Sequence, residues 1–188
     1  MPYPIQALNP TRFIGLFLVC LMLSGCALMR HPDSCDPEPL CRLDDQETGP
    51  GVELKIRESK KTTICACRPW NMGAVKVQKG ESYTFEIEAV HNWVDGKVAS
   101  DPETGWHGSF YKTMGFLSGF LKRSSETGWY ALTGTIGMAD TLSFAVITSG
   151  NAPVIMADSG ELYFYANDMK GRYFNNKGNL VLKITRIR

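Results

Sequence analysis

The sequence predicts an all-β domain, a jelly roll or β-sandwich, and three observations predict it. Short segments that alternate apolar and polar residues recur from Val52 onward, turns rich in Gly and Asn separate them, and almost nothing reads as a long helix. Six or more short strands within about 140 residues fit two packed sheets. Val52-Glu53-Leu54-Lys55-Ile56 alternates, Ala74 to Val77 is brief, and Tyr83 to Ala89 alternates with its apolar residues on one face. Leu142 to Ile147, Glu161 to Ala166 and Leu180 to Ile187 complete the set. The exception is 110–122, where Phe110, Met114, Leu117 and Leu121 fall at helical spacing while Gly115 and Gly119 weaken a helix. This stretch is too densely apolar for one buried stripe, so it predicts apolar side chains facing solvent; a helix simply packed on the sandwich is equally open.

The N-terminus reads as a secretory signal: Arg12, an apolar run from Phe13 to Leu23, then small residues. Roughly 20 apolar residues are needed to span a bilayer, and this run is shorter. Leu23-Ser24-Gly25-Cys26 resembles the lipobox of bacterial lipoproteins, in which the Cys becomes the acylated first residue. The resemblance implies a signal peptide over 1–25, lipidation at Cys26 and attachment to a lipid bilayer through its acyl chains. Ala27 stands where an Asp would retain a Gram-negative lipoprotein, which implies a periplasm-facing protein anchored at the outer membrane. Residues 26–50, rich in Pro and acids and poor in periodicity, read as a tether, and 51–188 as the folded domain.

Charge excludes one class of partner. The chain has 20 Lys+Arg against 19 Asp+Glu, and losing the signal removes Arg12, leaving a formally neutral protein. Nucleic acid requires a cationic excess or stripe, so it is not an expected partner. Export also sorts the cysteines. Cys20 leaves with the signal and Cys26 takes lipid, leaving Cys35, Cys41, Cys65 and Cys67 for two disulfides in an oxidising compartment. A Cys65–Cys67 bridge closes a strained ring, so Cys35 and Cys41 are each expected to bond one of Cys65 and Cys67. A four-Cys zinc site lacks the usual knuckle spacing.

Catalytic motifs are missing. Ser118 lies outside any nucleophile elbow, no HExxH or phosphate-cradling loop occurs, and the three His are His31 in the tether with His91 and His107 near Trp93 and Trp106. The expectation is a protein that is not an enzyme. Trp93, Trp106, Trp129 and Tyr130 read as core or as interface anchors.

The richest segment is the C-terminal hairpin, Glu161 to Ala166 and Leu180 to Ile187 around Asn167-Asp168-Met169-Lys170-Gly171-Arg172-Tyr173-Phe174-Asn175-Asn176-Lys177-Gly178. Its Asp and Asn oxygens suit a hard cation such as calcium, and equally suit ordinary turns. The strand followed by Asn-Asp-x-x-Gly-x-Tyr-x-Asn-Asn-x-Gly resembles the calcium loop of the PA-I-type galactophilic lectins, whose domain is a galactose-binding-like sandwich. The likeness extends weakly upstream through 131–137 and Lys79-Gly80. It implies Ca2+ held by the side chains of Asp168, Asn175 and Asn176 and by carbonyls of Arg172 and Gly96. It also implies a carbohydrate ligand touched by Asp168, Met169, Asn175 and His107. Lys170, Arg172 and Lys177 oppose a cation where only one carboxylate is sure, and Met169 adds bulk at the sugar position. Weak calcium binding and no measurable galactose binding are therefore expected.

The whole chain, with its lipidated tether, Cys65-Ala66-Cys67-Arg68-Pro69-Trp70 segment and lectin-like sandwich, resembles the small lipoproteins that act as immunity partners of type VI secretion phospholipase effectors. That resemblance implies a protein that binds a secreted phospholipase in the periplasm and neutralises it. Trp106, Phe116 and Phe120 are the residues expected at such an interface.

Overall fold

The computed structural model describes Cys41, residues 49–148 and residues 152–188, apart from the side chains of Phe110 and Lys112. Residues 1–25, Cys26 and Cys35 lie outside the described residues. Among the described residues ten strands form two sheets: β1 Ser59–Cys65, β2 Asn71–Val77, β3 Ser82–Asp95, β4 Val98–Asp101, β5 Gly105–Trp106, β6 Leu132–Ile136, β7 Ser143–Ala145, β8 Val154–Ile155, β9 Gly160–Ala166 and β10 Asn176–Arg186. One helix, α1 Ser109–Leu117, and a 3-10 turn at Gly119–Leu121 follow β5.

The larger sheet runs β1-β10-β3-β4-β5 with β8 paired to β3, and the smaller runs β2-β9-β6-β7. Every paired strand is antiparallel. The predicted all-β sandwich is thus the architecture observed. Alternation explains the packing: in β10, Leu180, Leu182 and Ile184 are fully buried while Lys183 points outward to Glu86. Facing them are Leu132, Leu162 and Phe164 of the smaller sheet, and Phe85 meets Phe144 and Phe164 with ring centres 5.7 and 5.9 Å apart. Each such side chain contributes about 1.5–3 kcal/mol by leaving water.

Several boundaries differ from the sequence reading. Val52 to Ile56 is not a strand: Val52 makes only an isolated bridge to Val75, Val52 and Ile56 are exposed, and Leu54 alone is buried. The strand that borders β10 is instead Ser59–Cys65, whose charged first half hides its periodicity. Leu142 belongs to a 3-10 turn, leaving Ser143–Ala145 as the short strand. The C-terminal pair is not a hairpin, because β9 lies in the smaller sheet and β10 in the larger. The chain between them crosses from one layer to the other, so its loop sits at one end of the sandwich. β3 also runs beyond Ala89 to Asp95, since β10 pairs with it along its length, with shifts in register at Gly178 and near Glu88. Gly178 has φ 93°, and a Cβ there would strike the His91 and Asn92 carbonyls.

Cys41 is bonded to Cys65 with Cα atoms 5.8 Å apart, one of the pairings expected. Cys67 is also disulfide-bonded. Asn71 adds a second tie at this end: its Oδ1 accepts from the Cys65 N–H, and its Nδ2 donates to the carbonyls of Cys65 and Phe164, joining the two sheets.

Candidate functional site

The loop between β9 and β10 is held from beneath before any ligand is considered. Asn167 is fully buried; its Nδ2 donates to the Ser124 and Thr127 carbonyls and its Oδ1 accepts from the Ser124 N–H. Tyr173 donates its hydroxyl to the Ala166 carbonyl, and the Arg123 N–H donates to the Asp168 carbonyl. The Arg123 side chain is 3% exposed. Its guanidinium lies 3.5 Å from the Trp70 ring centre and 3.7 Å from that of Tyr165, and pairs with Asp140 at 2.7 Å.

On this platform stand the residues singled out in the sequence. Asp168 is 4% exposed; its Oδ1 accepts from the Met169 N–H at 2.6 Å and its Oδ2 has no hydrogen-bond partner. Asn176 is equally buried, with Nδ2 on the Ala66 carbonyl and Oδ1 without a partner. Asn175 donates Nδ2 to Asp95 Oδ1 at 2.9 Å, and its Oδ1 too is buried without a partner. The three predicted side-chain ligands therefore share one property: each keeps an orphaned oxygen. An orphaned buried acceptor costs about 1–3 kcal/mol, so three at one loop form a set suited to a positive ion.

Gly96 is brought to the same place, its N–H donating to the Asn175 carbonyl at 3.2 Å. The Arg172 carbonyl accepts the Asn175 N–H at 3.5 Å, and its guanidinium is close enough to act on both nearby carboxylates. Met169 is half-buried, with its N–H turned to Asp168, and His107 is exposed one residue beyond β5. The loop cations are fewer around the oxygens than their number suggested: Lys170 pairs with Asp140 at 2.7 Å.

Sequence reasoning missed Asp95. It ends β3, sits opposite Asn176 in the ladder, and accepts from Asn175 Nδ2 and, at 3.1 Å, from Trp106 Nε1. The signal available was Gly96-Lys97, the two-residue turn between β3 and β4 with Gly96 at φ 57°, which marks Asp95 as the last residue of β3. Among the described residues no group of three or more His, Cys, Asp or Glu side chains gathers for a metal. The oxygen set here is two carboxylates plus amides, which is hard-cation chemistry.

The electrostatics follow from burial. Asp168 is pushed up to about 6, first by burial and then by Asp95, against the pull of the Met169 N–H and Asn176. Asp95 is raised by burial, opposed by Trp106 and Asn175. An Asp raised from 3.8 to about 6 binds more protons folded than unfolded between those values. Stability should therefore fall as pH rises through that window, by about 3 kcal/mol, and level off above it. Urea unfolding in EGTA measures this, and Asp168→Asn should flatten the slope; an equal slope in the variant would assign it elsewhere.

A second feature adjoins the first. Trp106 and Trp129 stack with ring centres 5.0 Å apart, and Trp129 Nε1 donates to the Gly115 carbonyl of α1. Gly115 lets the helix approach, since a Cβ would lie 2.8 Å from Trp129 Cδ1. The predicted stripe of Met114, Leu117 and Leu121 is not what packs: all three are exposed, and Phe116 and Phe120 are 86% and 84% exposed. Trp106, Trp129, Tyr111, Phe116, Thr104 and Lys122 line a cavity of about 240 Å³ between helix and sheet. Trp93, Trp129 and Tyr130 are core, while Trp106 is half-buried. Among the described residues no helix is long and apolar enough to cross a membrane.

No protein-family model matches the chain, and no curated protein does. Among solved structures it is similar to a chain described as "EclA N-terminal domain; PllA-like lectin", at 17% identity and a TM-score of 0.46, over 67% of this chain and 94% of that one.

Proposed function

We propose that the domain is a non-catalytic binding module that holds Ca2+ in the loop between β9 and β10 and uses it to bind carbohydrate. The observation that carries this reading is the triad of orphaned oxygens on Asp168, Asn175 and Asn176. These side chains, with carbonyls of Arg172 and Gly96, would hold the ion, and the ion would supply a positive centre for ligand hydroxyls. Two objections raised by the sequence are lessened: Lys170 is engaged by Asp140, and Asp95 adds negative charge beside Asp168. A glycan array probed with the full-length chain in Ca2+ and again in EGTA tests the proposal. Glycans retained only in Ca2+ support it, and no Ca2+-dependent glycan binding contradicts it.

A second reading is favoured by the exposed apolar residues of α1 and the turn after it. In that reading a protein anchored by Cys26 at the outer membrane, facing the periplasm, binds and neutralises a secreted phospholipase of the type VI secretion system. Anchoring would raise its concentration where such a lipase acts. Phe116 and Phe120 are the contacts to test, with Trp106 as the half-buried residue that lines the same cavity as Phe116. Replacing both Phe with Asp should change stability by no more than about 1 kcal/mol, because both already face water. A folded double variant that fails to protect cells from the lipase supports this reading, and full protection contradicts it.

A further inference from the structure

We propose that Asp95 is a second carboxylate ligand of the cation site and that Trp106 is the positioning residue that holds it there. The inference rests on the cation reading of the loop and adds to it a residue from a different part of the chain.

The backbone makes the placement a consequence of the ladder. Because β10 pairs with β3 to its end, Asp95 is directly opposite Asn176, and cross-strand partners project their side chains from the same face. Asp95 thereby neighbours two of the three residues that carry an orphaned oxygen, Asn176 across the ladder and Asn175 through its Nδ2 contact. Its carboxylate oxygens each accept one neutral N–H, from Asn175 and from Trp106. A carboxylate offers about four lone-pair sites, so each oxygen retains capacity for an ion. Neutral donors orient the group without cancelling its charge.

Trp106 suits the orienting role because it cannot swing away. Its ring is stacked on Trp129, whose own N–H is fixed to the Gly115 carbonyl. Its backbone N–H donates to the Trp129 carbonyl, and Gly105 at φ 82° has a backbone so close to that carbonyl that a Cβ would overlap it. The indole edge facing Asp95 is set by this frame. Two carboxylates, Asp95 and Asp168, then stand against one nearby guanidinium, that of the exposed Arg172.

The test uses the full-length chain titrated with Ca2+ alone, and with Tb3+ as a luminescent substitute. Asp95→Asn should weaken Ca2+ roughly a hundredfold, and Trp106→Phe roughly tenfold, as losses of a charged ligand and of its orienting donor do. Tb3+ emission excited through indole should be strong in the wild type and fall in Trp106→Phe, while emission excited directly persists. Circular dichroism establishes that the variants are folded; should Trp106→Phe unfold, Asp95→Asn and the wild-type emission still decide. If Asp168→Ala abolishes Ca2+ binding but Asp95→Asn binds within about twofold of wild type, Asp95 is only a structural acceptor and this inference falls while the cation reading stands. If the wild type binds neither ion, the cation reading itself falls, and this one with it.

Discussion

Replacing Arg123 with alanine will destabilise the domain by about 3–5 kcal/mol, the usual cost of removing one partner from a buried ion pair. The side chain is almost wholly enclosed, with its guanidinium in the corner between the nearly perpendicular rings of Trp70 and Tyr165 and its Nε on Asp140. It also donates to the Pro69 carbonyl and to the Tyr173 hydroxyl, so the deletion leaves an unfilled slot and an Asp140 paired only with the exposed Lys170. Arg123→Lys retains charge but loses the planar stack and the forked donors, and should recover less than half of the loss. Because the Arg123 guanidinium donates to the Tyr173 hydroxyl, the same variants should loosen 167–176 first, as faster amide exchange there. A loss under about 1 kcal/mol in denaturant unfolding would mean that the stack contributes little.

Reduction of the Cys41–Cys65 bond will have the second large effect. The bond closes a loop with a sequence separation of 24. Loop-closure entropy for that length predicts a loss of about 3–4 kcal/mol, within the range seen for native disulfides in small exported domains. Cys65 ends β1 and pairs with Asn179, and Arg68 Nη2 donates to the Cys41 carbonyl, so loosening should begin at β1 and the following turn. Denaturant unfolding of Cys65→Ala against wild type measures the loss, and unchanged stability would show that other contacts at this end suffice.

The two-sheet sandwich was legible because most of its strands alternate and face a common core. β10 declares itself through Leu180, Leu182 and Ile184, whereas β1 does not, since Lys60 and Lys61 occupy a strand whose first five residues are exposed or only half-buried. The pattern at Val52 to Ile56 misled for a related reason: alternation without a pairing partner is not a strand. Partner choice between sheets was beyond reading, because a loop joining β9 to β10 has the same local chemistry whether its strands are neighbours or lie in opposite layers. For the site, Asp168, Asn175 and Asn176 were legible as a run of oxygen-bearing residues. Asp95 was not, because its placement beside them depends on the register of β3 against β10, a long-range fact. The apolar crowding at 110–122 correctly predicted exposed residues, while the seating of α1 by Gly115 on Trp129 had no periodic signature.

The central claim is that the orphaned oxygens of the loop between β9 and β10 are the ligands of a cation. Calorimetric titration of the full-length wild type and Asp168→Ala with Ca2+ tests it most directly. The account predicts binding of one ion per chain by the wild type and loss of most of that affinity in the variant. No heat of binding in the wild type up to millimolar Ca2+, or equal affinity in the two proteins, would contradict it.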